Sequence, residues 1–194
     1  MAEDFVMNVF WMAFAIGAVI GGIVGITIYI FESIGTYTIA KRRGLKNPWL
    51  AWIPFANFFM FGSIADDCNQ KLSGKKTNNK QLLLWLGVAS KIIAVPFVIW
   101  LMDWYVNFLT DVIVYQGYGV ESYLMNFFGT FFILYFLLLA VSIAYAVFYY
   151  IALHKVYKSY TQSYVLLLVF SIIFGITPFV LFAIRNKDVL TIDN

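Results

Sequence analysis

The chain has 194 residues, 62% of them hydrophobic, 20% aromatic and 12% charged, with a net charge of +3 and a single cysteine. A soluble domain of this size cannot hide so much apolar surface, and the charge is too small to suggest a nucleic-acid partner. Cys68 has no partner for an internal disulfide and no Asn-x-Ser/Thr acceptor occurs, so nothing argues for an oxidising or glycosylating compartment.

Four apolar runs are long enough to span a bilayer as helices, at about 1.5 Å per residue across roughly 30 Å of hydrocarbon: residues 9–31, 82–102, 127–153 and 163–184. None alternates polar with apolar residues, which excludes a transmembrane β-barrel. The expected fold is all-α, a polytopic transmembrane helical bundle in one integral membrane domain over residues 1–194, with four main spans plus one re-entrant or interfacial segment. At the start, MAEDFVMN carries Glu3 and Asp4 but no basic residue before the first run. It reads as an uncleaved first helix with its N-terminus outside, not as a secretory signal.

Basic residues set the direction of the spans. Lys41, Arg42, Arg43 and Lys46 follow the first run, and Lys71, Lys75, Lys76 and Lys80 precede the second; both clusters belong on the cytoplasmic side. The connection 103–126 holds Asp111 and Glu121 without any Lys or Arg, as an external loop would, and Lys155 and Lys158 then return the chain to the inside. Between the two basic clusters lies the apolar stretch 48–65. Were it to cross, every later charge would fall on the wrong side. It is therefore expected to enter from the cytoplasm and return, with Pro48 starting a short helix and Pro54 breaking it; a helix lying flat, with Trp49 and Trp52 at headgroup level, is the alternative. The carbonyls that Pro54 frees near Trp52 and Ile53 need partners, such as the Asn57 amide.

The last run, 163–184, poses the same question, because it breaks at Gly175–Pro178 and ends in Arg185 and Lys187. Its length favours crossing, and its terminal charges favour return. Length outweighs two charges, so a crossing is expected. Both interrupted stretches place Pro-Phe in an apolar run that ends in charge, at Pro54 and Pro178, and such pairs can point to a binding site between the halves of a membrane protein.

The stretch GLKNPWLAWIPFAN has the form Gly-x3-Pro-Trp-x-Ala-x-Ile-Pro-x-x-Asn, on Gly44, Pro48, Trp49, Ala51, Ile53, Pro54 and Asn57. It resembles a pattern of small uncharacterised bacterial multi-pass membrane proteins. The resemblance covers about 14 residues; it implies a bacterial cytoplasmic (inner) membrane and transfers no catalytic residue.

Lys91 stands nine residues into the second run, counted from Leu82. A lysine at that depth costs on the order of 3 kcal/mol on insertion scales, so it calls for a partner or a route to water. If the first helix continues to its basic end, Glu32 lies at a similar depth. The expectation is a Glu32–Lys91 pair, or a wet pocket shared with Asn57 and the hydroxyls of Ser33, Thr36 and Ser90; Lys91 snorkelling to the cytoplasm is the alternative. Gly17, Gly21 and Gly25, with Ala13 one step earlier, form a small-residue face for helix packing, either within the chain or against a second copy. Tyrosines 135, 145, 149 and 150, and 157, 160 and 164 after them, could line a pocket, though the later ones suit an interfacial belt.

No pattern for catalysis, a cofactor or a metal emerges. His154 lacks companion ligands, Asp66 and Asp67 read as a solvated cap at a membrane exit, and SGKKT fails as a P-loop because Asn69 and Lys76 stand where glycine and Ser/Thr are required. An enzyme is the weakest reading. Transport or permeation, as an oligomer or as the membrane subunit of a transporter, rests on the interrupted segments and Lys91; a non-catalytic scaffold, immunity or assembly-partner protein rests on the glycine face. The expected partners are the lipid bilayer and a second copy or another membrane protein.

Overall fold

The computed structural model describes residues 2–114 and 120–190. Among them six helices and one 3-10 turn are found, and no strand: α1 (Ala2–Arg42), the 3-10 turn (Pro48–Trp52), α2 (Ala56–Ser73), α3 (Asn79–Val114), α4 (Val120–Tyr160), α5 (Tyr164–Phe174) and α6 (Thr177–Ile184). The chain divides into two compact units. One comprises Met1–Ala18 with Val88–Ala144, and the other Val19–Gly87 with Tyr145–Asn194.

Three helices have stretches long and apolar enough to cross a membrane, Trp11–Arg42, Asn79–Thr110 and Phe127–Tyr160. They are apolar on every side. On α1, Val19, Ile20, Ile23, Val24 and Ile26 are all exposed although they point in different directions around the axis. A helix hydrophobic all round suits lipid as its surroundings, where a helix of a water-soluble fold shows one dry stripe. The first and third expected spans are present within longer helices, α1 running on to Arg42 and α4 to Tyr160.

The connection 103–126, expected to be a loop, is helical where described: α3 continues to Val114 and α4 begins at Val120. No glycine or proline interrupts 103–114, so nothing stops the hydrogen-bond ladder there. Asp111 and Glu121 lie on helices but their side chains, and all of residues 115–119, fall outside the described residues.

Both interrupted stretches lie in the second unit. The chain leaves α1 through Gly44, which adopts the left-handed conformation at φ 70° while Gly44 N–H donates to the Lys41 carbonyl (3.1 Å) and Leu45 N–H to the Ala40 carbonyl (3.1 Å). This is a Schellman end, where glycine avoids the Cβ penalty. The 3-10 turn follows and packs against α2, after which Asp67 of α2 returns to Arg43 in an ion pair of 2.5 Å. Residues 44–66 therefore leave and rejoin the same end of α1.

The last run behaves alike, and the single spanning helix expected there is not found. It is two helices, of 11 and 8 residues, separated by Gly175 at φ 63°. At about 1.5 Å per residue neither approaches the roughly 30 Å needed to span. The run begins just after the end of α4, yet Leu190 N–H donates to the Ser159 carbonyl (2.9 Å) and Arg42 pairs with Asp188 (2.6 Å). Both ends of 163–184 thus sit at the same end of α4. Among the described residues there are three candidate spans; a fourth is not found.

Packing in this unit is tight where small residues allow it. On α2 the buried residues Asn57, Met60, Phe61, Ile64, Ala65 and Cys68 recur every three to four positions and form one face. They share a core with Ile39 and Ala40 of α1, Leu153, Val156 and Tyr157 of α4, and Leu181 and Ile184 of α6. A Cβ at Gly35 would lie 2.9 Å from the Leu181 carbonyl carbon, and one at Gly62 would collide with the backbone of Asn79 and Lys80. Gly17, Gly21 and Gly25 serve no such purpose inside the chain, since a Cβ at any of them meets nothing within 4 Å. The close approaches fall at glycines outside the regular spacing.

Candidate functional site

Both returning segments reach far along α1. The Tyr29 hydroxyl donates to the Trp52 carbonyl (2.5 Å), and Phe31 packs on Phe179 and Phe182 with ring centroids 5.2 and 4.8 Å apart. Tyr29 stands 13 residues, and Phe31 11 residues, before Arg42. At about 1.5 Å per residue those contacts lie roughly 20 and 16 Å from the basic end along the helix axis. The two proline-interrupted segments therefore reach the same stretch of α1.

The breaks themselves are resolved locally. Pro48 opens the 3-10 turn, where its missing N–H costs nothing, and Pro178 occupies the equivalent first-turn position of α6. The carbonyl of Trp52 is taken by Tyr29, and that of Ile53 accepts the backbone N–H of Asn57 (2.8 Å). The Asn57 amide thus supplies one of the two partners, through its backbone N–H, and a tyrosine supplies the other. That leaves Asn57 Oδ1 buried without a protein partner, along with Ser33 Oγ and Thr36 Oγ1. Ser33 and Thr36 are three apart, on one face of α1, and both are fully buried. A buried oxygen left unpaired costs about 1–3 kcal/mol, so each of these three groups calls for a partner. In the same unit Tyr157 shares a hydrogen bond with Ser171 (2.9 Å), both side chains being buried.

Of the other residues singled out from the sequence, Glu32 is half-buried and within electrostatic reach of Tyr145 and Tyr149. Tyr145 and Tyr149 pack on Phe58 and Phe61 of α2, with centroids at 5.6 and 5.0 Å, so they are core aromatics and not a belt. Lys91 is exposed on α3 and Ser90 is half-buried; both lie in the first unit, Glu32 in the second. Tyr135 is exposed on α4, and His154 packs edge-on against Tyr164 at 5.2 Å.

At the basic end the two adjacent aspartates are fully employed. Asp67 pairs with Arg43 (2.5 Å) and Lys71 (3.2 Å), while Arg43 also donates to the Tyr160 hydroxyl (3.2 Å). The Arg43 side chain is only 2% exposed. Burial works against its charge, but Cys68, Tyr160 and Asp67 outweigh burial and hold its pKa above the ordinary arginine value. Burial in turn pushes the Cys68 thiol up, against the opposing pull of Arg43. Asp66 caps α3 from outside that helix: Oδ1 accepts from Asn79 N–H (2.9 Å), Asn79 Nδ2 (2.8 Å) and Thr77 Oγ1 (2.7 Å), and Oδ2 from Lys80 N–H (3.1 Å). The aspartates are not the solvated cap expected. Their roles were invisible in sequence because Arg43 and Asn79 lie 24 and 13 residues away.

No known protein family, curated protein or solved structure matches the chain.

Proposed function

We propose that this is a small multi-pass protein of a bacterial cytoplasmic membrane that moves an ion or small polar solute, as an oligomer or as the membrane subunit of a transporter. The observation that carries this reading is that two broken, returning segments reach the same depth along α1, at Tyr29 and Phe31, in a unit that also buries the unpaired oxygens of Ser33, Thr36 and Asn57. Discontinuous segments at membrane depth, with polar groups between them, are how secondary transporters build their sites. Three spans, with the N-terminus outside, place α1, α3 and α4 in alternating directions. Arg43, Lys71, Lys158, Arg185 and Lys187 then all fall on the cytoplasmic side, as the positive-inside bias favours. Residues 48–65 and 163–184 dip in from that side and return. The resemblance in GLKNPWLAWIPFAN to small bacterial membrane proteins is the support for the bacterial assignment.

The test is solute flux across proteoliposomes, driven by a potassium diffusion potential and read by a pH-sensitive dye and a potential-sensitive dye. Flux above that of protein-free vesicles, reduced in Thr36→Val and Asn57→Leu, supports the reading. Vesicles no leakier than protein-free ones to protons and alkali cations overturn it. A second reading, an interaction protein of the membrane, is favoured by the open face of Gly17, Gly21 and Gly25, and native mass spectrometry of the purified protein reads it directly.

A further inference from the structure

The polar end of the second unit contains a cavity of about 560 Å³ whose walls include Lys46, Asn47, Lys76 and Lys80 together with Leu45, Leu50 and Phe59. Asp66 and Asp67 also line it, and at first sight they balance the lysines. They do not. Asp67 is already matched by Arg43 and Lys71, and Asp66 is committed to the α3 N-terminus through four hydrogen bonds. The lining itself carries three lysines against two aspartates, a net +1, and because Arg43 and Lys71 pair Asp67 from outside the lining, Lys46, Lys76 and Lys80 are left free to meet an anion. Lys46, Lys76 and Lys80 are exposed, and Lys80 Nζ stands 5.9 Å over the Phe59 ring.

A second feature singles out this place. Asn47 is the one non-glycine residue with positive φ among the described residues, at 55°, and its side chain makes no capping bond to the 3-10 turn it precedes. Left-handed backbone at a non-glycine residue is a strain that folds keep where geometry is needed. Here it turns the chain so that Lys46 and Asn47 line the same cavity as Lys76 and Lys80, which come from the far side of α2.

We infer that this cavity binds a phosphate-bearing anion. Lys46, Lys76 and Lys80 supply charge, Asn47 and Gln70 supply hydrogen bonds, and Leu45, Leu50 and Phe59 face the apolar part of the ligand. Lysine suits a phosphate oxygen as a compact, strongly hydrated charge on a flexible stem. The same phosphate chemistry occurs in the headgroup of an anionic lipid and in a soluble phosphomonoester. The apolar wall and the exposed Trp49 and Trp52 on the adjoining turn suit the former. This site is separate from the polar groups on which the transport reading rests, and it stands or falls without them.

The experiment reconstitutes the protein and its Lys46→Gln/Lys76→Gln/Lys80→Gln variant in nanodiscs. Native mass spectrometry reads retention of phosphatidylglycerol against phosphatidylcholine, and titrations with glycerol phosphate and inorganic phosphate run in parallel. The three lysines are exposed, so the variant keeps the native melting temperature. Selective retention of phosphatidylglycerol by the native protein, weakened about a hundredfold in the variant at roughly fivefold per lysine, establishes the site and its lipid source. Binding of the soluble phosphates alone, lost in the variant, establishes a soluble ligand. Equal retention of both lipids with no phosphate binding, or binding unchanged in the variant, overturns the inference. A single Asn47→Gly variant that keeps the backbone turn but weakens binding separates the amide contact from the charge.

Discussion

Replacing Asp66 with alanine removes the carboxylate that closes the start of α3, and the loss can be worked out from its bonds. The carboxylate accepts backbone N–H groups of Asn79 and Lys80 at 2.9 and 3.1 Å and the side chains of Asn79 and Thr77 at 2.8 and 2.7 Å. Loss of a helix cap costs about 1 kcal/mol. Loss of a negative charge at a helix N-terminus costs about 0.5 kcal/mol more. Asn79 is 8% exposed; its amide keeps the bond to Thr77 Oγ1 (3.0 Å) and loses the one to Asp66, which adds about 1 kcal/mol. The expected total is roughly 2.5 kcal/mol for Asp66→Ala, against about 1 kcal/mol for Asp66→Asn, which keeps an acceptor oxygen without the charge. Unfolding in mixed detergent micelles of rising SDS fraction, followed by circular dichroism, reads the difference. An Asp66→Ala protein within about 0.5 kcal/mol of the native one would refute the reasoning, and so would an asparagine variant as damaged as the alanine one.

Gly35→Ala and Gly62→Ala should each destabilise by about 1–3 kcal/mol, because the added carbon meets backbone that cannot yield, whereas Gly21→Ala should be neutral or stabilise by up to about 1 kcal/mol; the same unfolding assay ranks them. Cys68 should resist a maleimide in the native protein at pH 7 and react once SDS is added. Because burial raises its pKa, the thiolate is scarcer than for a free cysteine at every pH below that pKa, so native-state labelling should become appreciable only as pH rises past the ordinary thiol range; rapid labelling at neutral pH would contradict the burial. A cysteine placed at Asn186 in a Cys68→Ala background should be labelled from the same membrane face as one placed at Lys75. Labelling of the two from opposite faces would restore a crossing for 163–184.

The class of fold was legible in the sequence because it depends on quantities that add along the chain. Apolar runs of sufficient length identified the regions of α1, α3 and α4, and the all-round apolarity that betrays them needs no knowledge of neighbours. Charge placement carried more than length did: Arg185 and Lys187 pointed to a return of the last run, and the bond from Leu190 to Ser159 agrees with them. Counting residues misled there because Gly175 ends α5 after 11 residues, and the sum of two short helices is not a span. What only tertiary structure decided is which polar groups meet. Arg43 read as a topology marker and Asp67 as part of a solvated cap, yet they form a part-buried pair; Asp66, read in the same way as Asp67, caps a helix, and the regular glycines of α1 face open space while Gly35 and Gly62 take the close contacts. Such pairings join residues far apart in the chain, and their energy depends on distances and burial that no local pattern encodes.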